Sequence, residues 1–226
     1  MVSTFQNDTD LPKIKKQFPV WKKQYGRFLP KEKSVKILDV GCGYGGIVHF
    51  LHFLGFESAE GIDINRHKID TAVNLGIKNL HHGDAMSFLR DKNNYYDVIF
   101  LTDVLLDLNQ EEARELLYSI HDSLKSDGVC IIKSANAESP MAGSLQYGNF
   151  GKQLHVTETN LKNLLRNTGF KKADVYPLRP VVHGIPSFIR YCLWFLIEGF
   201  LKFYRLVETG TKKGVFTQSI IAVARK

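Results

Sequence analysis

The stretch ILDVGCGYGG, residues 37 to 46, runs an apolar segment into four glycines within six residues: Gly41, Gly43, Gly45 and Gly46. Glycines at such a turn let the backbone approach a ligand closely, and a helix starting just beyond it offers unpaired N–H groups. The spacing Gly41, Gly43, Gly46 fits the dinucleotide pattern G-x-G-x-x-G. With Gly45 included, the turn equally suits S-adenosyl-L-methionine. Asp39 separates the two readings: a carboxylate beside the turn repels a pyrophosphate but suits amino and sulfonium cations. Asp63, in GIDIN, ends the next apolar run, where either cofactor offers ribose hydroxyls. Asp84, in HGDA, is placed to accept a hydrogen bond from an adenine amine. Each aspartate could instead only cap a helix. Three acids at three successive strand ends favour S-adenosyl-L-methionine, and with it methyl transfer.

These residues need a scaffold, and the chain offers an alternating one. Expected strands are 36–40, 59–63, 79–83, 96–102 and 128–134, with helical patterns between them at 47–54 and 111–124. Such alternation implies βαβ units and a parallel sheet covered on both faces. A basic amphipathic stretch, 11–29, precedes it and is expected to be helical between its prolines. After it, VTETNLKNLLRNTGF reads as a helix capped by Thr157 and stopped by Gly169, followed by strands at 172–178 and 215–224.

Bulk properties set bounds. With 226 residues, 44% hydrophobic and 23% charged, the chain fits one large globular domain. Its N-terminus, MVSTFQNDTD, has no basic segment followed by an apolar run, so it does not read as a signal peptide. Cys42, Cys130 and Cys192 have no metal-ligand spacing and suit a reducing cytoplasm; no metal is expected. A net charge of +7 favours an anionic partner without naming one.

The motifs ILDVGCGYGG, GIDIN, GDA and YYDVIFLTDVL, over roughly residues 35 to 135, resemble those of class I S-adenosylmethionine-dependent methyltransferases. The segments FPVWKKQYGRFLP, NAESP, YGNF, VVHGIPS and ETG…VFTQSIIAVARK resemble a narrower group, the methyltransferases of bacterial capsule and O-antigen polysaccharide biosynthesis. The resemblance implies a Rossmann-like α/β fold with a seven-stranded, mostly parallel sheet whose last strand is antiparallel. It implies a single domain over 1–226: a helical lid at 1–34, the cofactor-binding core at 35–135, and an acceptor-side region at 136–226. By the same resemblance Asp39, Gly41, Cys42, Gly43 and Gly45 line the methionine part. Asp63 and Ile64 take the ribose, Asp84 and Ala85 the adenine. Thr102 and Asp103 face the methyl group and acceptor, and S-adenosyl-L-homocysteine is the product. Two departures stand out. Where the wider family reads D-V-L-E-H-L this chain has DVLLDL, and where the narrower group shows T-H-E after Y-G-D-F it has GKQ, residues 151 to 153. A histidine expected near the acceptor is missing, and Lys152 occupies its place.

A sugar hydroxyl is a poor nucleophile and needs a proton acceptor as the new bond forms. Candidates are His155, His183, Asp103 and Asp107, with His155 placed first because it lies in the loop after strand five. Lys13, Lys15, Lys16, Lys22, Lys23 and Arg27 crowd the N-terminal segment, either as a solvated face or as a phosphate-binding one. Trp21 and Tyr25, four apart, share a helix face that either packs or covers the cofactor. In the segment 185–208, Arg190, Glu198, Lys202 and Arg205 fall on one helical stripe with apolar faces beside it. The longest uncharged run there, Tyr191–Ile197, is far short of the roughly 20 residues a bilayer span needs. This segment is expected to pack on the core, form a homodimer, or touch a membrane surface.

The leading expectation is a cytoplasmic enzyme, peripheral at the inner membrane surface if 185–208 binds lipid, that O-methylates a sugar, glycan or nucleotide-sugar of a surface polysaccharide. The alternatives are a methyltransferase for a small aromatic or lipid metabolite, and a non-catalytic cofactor-binding scaffold. A nucleic-acid acceptor is disfavoured: amino-directed enzymes commonly carry N/D-P-P-Y/F after strand four, and this chain reads TDVLLD.

Overall fold

A computed structural model describes residues 10–143, 153–182 and 184–226. The expected sites Lys152 and His183 lie outside these residues. Seven strands form one sheet in the order β3-β2-β1-β4-β5-β7-β6. They are β1 (Ile37–Val40), β2 (Ala59–Asp63), β3 (Leu80–His82), β4 (Tyr96–Thr102), β5 (Leu124–Ala135), β6 (Lys172–Pro177) and β7 (Ser219–Arg225). The pairs β1–β2, β1–β4, β2–β3 and β4–β5 are parallel, while β7 runs antiparallel to both β5 and β6. The expected Rossmann-like sheet with its last strand antiparallel is therefore present. Strand order reverses between β1 and β4, so a crevice opens at their carboxyl ends, where open α/β sheets bind ligands.

The helices are α1 (Leu11–Lys16), α2 (Phe18–Tyr25), α3 (Gly46–Phe53), α4 (Arg66–Asn74), α5 (Ala85–Leu89), α6 (Gln110–Ser123), α7 (Glu158–Asn167) and α8 (Ile185–Thr209). Strands buried on both faces need runs of apolar residues, and β4 supplies one from Val98 to Leu101. Val98 and Phe100 point into a cluster with Ile14, Phe18 and Trp21 of α1–α2 and Phe50 of α3. Ile99 and Leu101 point the other way, into a cluster with Leu116 and Leu117 of α6 and Leu161 and Leu165 of α7. The side-chain period of two thus joins two cores through one strand.

Several boundaries differ from expectation. The N-terminal stretch is two helices because Pro19 sits in the first turn of α2, with Gln17 between them. β5 begins at Leu124, which pairs with Tyr96 before a register shift restores Val98 opposite Val129. β7 starts at Ser219 instead of 215, because the carbonyls of Val215 and Thr217 accept from the Asn136 side chain, at 2.6 and 2.8 Å. Thr157 does cap α7, in a reciprocal capping box with Asn160.

The expected helical insertion between the last two strands is α8, closed by Gly210 at φ 74°. Its packing corrects the core-packing expectation. The buried residues of α8 are Ser187 and Glu198. Glu198 accepts from Arg179 Nε and Nη2 at 3.1 and 3.0 Å and from Lys202 Nζ at 2.7 Å. Arg205 Nη1 donates to Glu138 at 3.0 Å. Most of the charged stripe is therefore what the helix turns toward the protein, and the apolar face is left outside.

Candidate functional site

The backbone of the glycine turn is held from β2. Gly41 and Cys42 N–H groups donate to the Ile62 carbonyl at 2.8 and 3.0 Å, and Gly43 N–H donates to Asp63 Oδ2 at 2.8 Å. Gly41 adopts φ 70°, and a Cβ there would lie 2.3 Å from Val104 Cγ2, so the turn closes tightly on the chain leaving β4. Asp63 Oδ1 also accepts from Asn65 N–H at 2.8 Å, which fixes the carboxylate at the end of β2.

Gly41 borders two cavities. The larger, about 470 Å³, is lined by Asp63, Ile64, Asp84, Ala85, Asp103 and Asp107, among others. The narrower, about 80 Å³, is lined by Trp21, Tyr25, Asp39, Cys42, Thr102 and Lys133 among others, under α2. Of the residues expected at the cofactor, Gly43 and Gly45 alone line neither; both instead shape the turn, at φ 56° and 70°. Asp84 also caps α5, accepting from Ser87 N–H at 2.8 Å, so the residue both caps a helix and lines the larger cavity. His155 lines neither cavity, and its carbonyl accepts from Asn160 Nδ2 at 2.9 Å.

The electrostatics of the narrow cavity are unusual. Asp39 is 2% exposed and its Oδ1 has no hydrogen-bond partner. Burial, and then the charge of Asp63, push its carboxyl well above the usual carboxylate range. An orphaned buried carboxylate is costly until a cation or donor meets it. That requirement fits the methionine amino and sulfonium groups of S-adenosyl-L-methionine and opposes a pyrophosphate. Burial and the same two aspartates raise the Cys42 thiol, keeping it neutral. Tyr25 is 1% exposed and packs edge-on against Phe100. Burial, then Asp103 and Asp39, push its phenol far above the usual range, against a hydrogen bond with Thr102.

At the ends of β4 and β5, Lys133 Nζ donates to Asp103 Oδ2 at 2.5 Å, both side chains being almost entirely buried. Asp103 sits at φ 59° and its Oδ1 has no partner. A left-handed, non-glycine residue costs energy that the surroundings must hold in place. Lys133 lines the narrow cavity and Asp103 the larger, so the pair stands where the two meet. Sequence reasoning missed Lys133, although a lone lysine inside the apolar run VCIIKSA is a visible signal of a paired buried charge.

Known proteins share this architecture. Residues 14–175 match a family model described as a methyltransferase domain. The phosphoethanolamine N-methyltransferase of Triticum aestivum is 31% identical over 163 residues, which is 66% of this chain and 30% of that enzyme. The chain thus spans under a third of that relative. A crystal structure of a SAM-dependent methyltransferase from Archaeoglobus fulgidus superposes with a TM-score of 0.68 at 21% identity, covering 96% of this chain and all (100%) of that one. Phosphoethanolamine N-methyltransferase 2 of Haemonchus contortus, in complex with phosphomonomethylethanolamine and S-adenosylhomocysteine, gives 0.64 at 16% identity over 93% of this chain and 52% of that one. With the family model covering most of its length, the chain belongs to the methyltransferase-domain family, and its cofactor is S-adenosyl-L-methionine.

Proposed function

We propose that the enzyme O-methylates a sugar hydroxyl of a surface polysaccharide or its activated precursor. The observation that carries this reading is the unpartnered Oδ1 of Asp103, a residue that lines the larger cavity together with Gly41. When bound, S-adenosyl-L-methionine supplies an electrophilic methyl group on a sulfonium, and displacement requires a nucleophile held in line with it. Asp103 Oδ1 can accept the hydroxyl hydrogen and then its proton as the C–O bond forms, while Lys133 holds Oδ2 and fixes the rotamer. Tyr25 and Cys42 stay protonated and act as donors or walls. Asp103 is preferred to His155 as the proton acceptor because His155 lines neither cavity; His183 and Asp107 remain as further candidates. Asp103, Asp107 and Glu112 make the larger cavity acidic, which suits a neutral glycan better than a diphosphate-bearing one.

A second reading is an amine acceptor. The same bare carboxylate would hold an ammonium group, and two of the similar proteins are named as phosphoethanolamine N-methyltransferases. Transfer of labelled methyl to a panel of glycans, nucleotide-sugars, phosphoethanolamine and small aromatic hydroxyls, with the product mapped by mass spectrometry, separates the readings. The proposal expects an O-methyl sugar. Label found only on nitrogen would overturn it.

A further inference from the structure

The outward face of α8 has no counterpart elsewhere in the described residues. Ile185, Phe188, Leu196, Phe200, Phe203 and Val207 are 56–77% exposed, and they fall on one side of the helix at three-, four- and eight-residue spacings. The opposite side carries Ser187, Glu198 and Arg205, which face the protein through the ion pairs to Arg179 and Glu138. A continuous apolar face of this length is rare on a free surface. No helix among the described residues is long and apolar enough to cross a membrane, so the face is one that lies against something.

The N-terminal helices, tied to the segment ahead of α8, are basic. Residues 11–29 hold Lys13, Lys15, Lys16, Lys22, Lys23 and Arg27 and no acidic residue, and all six cations are exposed. Lys23 Nζ donates to the Val182 carbonyl at 2.5 Å, which seats α2 against the segment leading into α8. Lys212 and Lys213 follow the far end of the helix. An aromatic-rich apolar face flanked by lysines is the composition of a helix lying in the headgroup region of a bilayer. A second copy would cover the apolar face equally well, but it carries the same net charge of +7 and so would not neutralise the cations of α1 and α2 overall. Anionic lipid does.

We propose that α8 and the basic α1–α2 pair dock this protein on an anionic lipid surface, with the apolar face of α8 buried at the headgroup boundary. The docking does not depend on which acceptor is methylated. Because Leu178 lines the narrow cavity and Arg179 pairs with Glu198, the segment that carries α8 also borders the cofactor site. Docking would hold that side of the enzyme against the membrane.

The test uses the full chain and vesicles of phosphatidylglycerol and phosphatidylcholine, compared with pure phosphatidylcholine, in co-sedimentation at low and high salt. The expected result is binding to the anionic vesicles that weakens with salt. Leu196→Glu with Phe200→Glu should weaken partitioning on the order of 10²-fold. Lys15→Glu with Lys16→Glu should weaken it by about fivefold per charge removed. Both variants alter solvent-facing side chains, and unchanged calorimetric binding of S-adenosyl-L-homocysteine certifies the fold and keeps this test separate from the acceptor question. Two results would overturn the proposal: no binding to anionic vesicles above the phosphatidylcholine background, or a solution dimer that the Leu196/Phe200 variant dissociates while vesicle binding is absent.

Discussion

Lys133 and Asp103 join β5 to β4 by a buried ion pair, and that pair stands between the two halves of the cofactor crevice. Removing the lysine alone leaves a buried, unpaired carboxylate. Lys133→Met should therefore cost about 3–5 kcal/mol of stability, read as a shift of the denaturant midpoint at unchanged slope. Asp103→Asn keeps the shape and loses the proton acceptor. It should lower kcat by roughly 10²–10⁴-fold with affinity for S-adenosyl-L-homocysteine nearly unchanged, whereas His155→Ala should leave kcat within a few-fold. The reverse pattern would hand the role to His155.

Asp39 sets a conflict between stability and function. Its carboxyl titrates above its unfolded value, so the apo protein gains stability from this group as pH falls through the raised value, and bears the cost above it. Asp39→Asn should raise the apo Tm at neutral pH, with each kcal/mol relieved appearing as about 2–4 °C. The same change should weaken the cofactor. In the wild type, affinity for S-adenosyl-L-homocysteine should rise with pH across the titration, because only the ionised carboxylate meets the cationic amino group; the variant should lose that dependence.

Glu198 behaves in the opposite sense. Burial opposes its ionisation, but hydrogen bonds from Arg179 and Lys202 prevail and hold the carboxyl below its ordinary value of 4.5. Its contribution is present above that ordinary value and lost as pH falls through the lowered one. Both cationic partners are more than a third exposed, so solvent screening limits the gain to about 0.2–1 kcal/mol. Glu198→Gln should make the acid-side slope in a pH series of thermal melts shallower than in the wild type.

Gly41→Ala tests the turn itself. The new methyl group would stand 2.3 Å from Val104 Cγ2 in a left-handed backbone, so either the turn or Val104 must move. Overpacking of this kind costs about 1–3 kcal/mol, and the displaced turn should lose cofactor binding by calorimetry.

Most of the sheet was legible because the strands β1 to β5 end in or are followed at once by Gly, Asp or Asn, and the expected bounds of β2 and β4 match the observed ones. The glycine turn was legible because Gly41, Gly43 and Gly45 take a left-handed backbone that side chains disfavour. β5 was read short because the residues of its register shift, Lys125–Asp127, look like a loop and break the apolar pattern. Lys133 was missed because its partner lies 30 residues away and only sheet pairing brings them together. The orientation of α8 was open for a related reason: a single stripe of charges gives two faces, and only Arg179 and Glu138 decide which one turns inward.

The most direct test of the central claim is isothermal calorimetry of the purified chain with S-adenosyl-L-homocysteine and, separately, with NAD. Saturable binding of S-adenosyl-L-homocysteine and none of NAD is the expected result. Asp63→Ala should weaken that binding by about 1.5–3 kcal/mol, the value of hydrogen bonds to a charged group. Tighter binding of NAD than of S-adenosyl-L-homocysteine, or an Asp63→Ala variant with undiminished affinity, would contradict that claim.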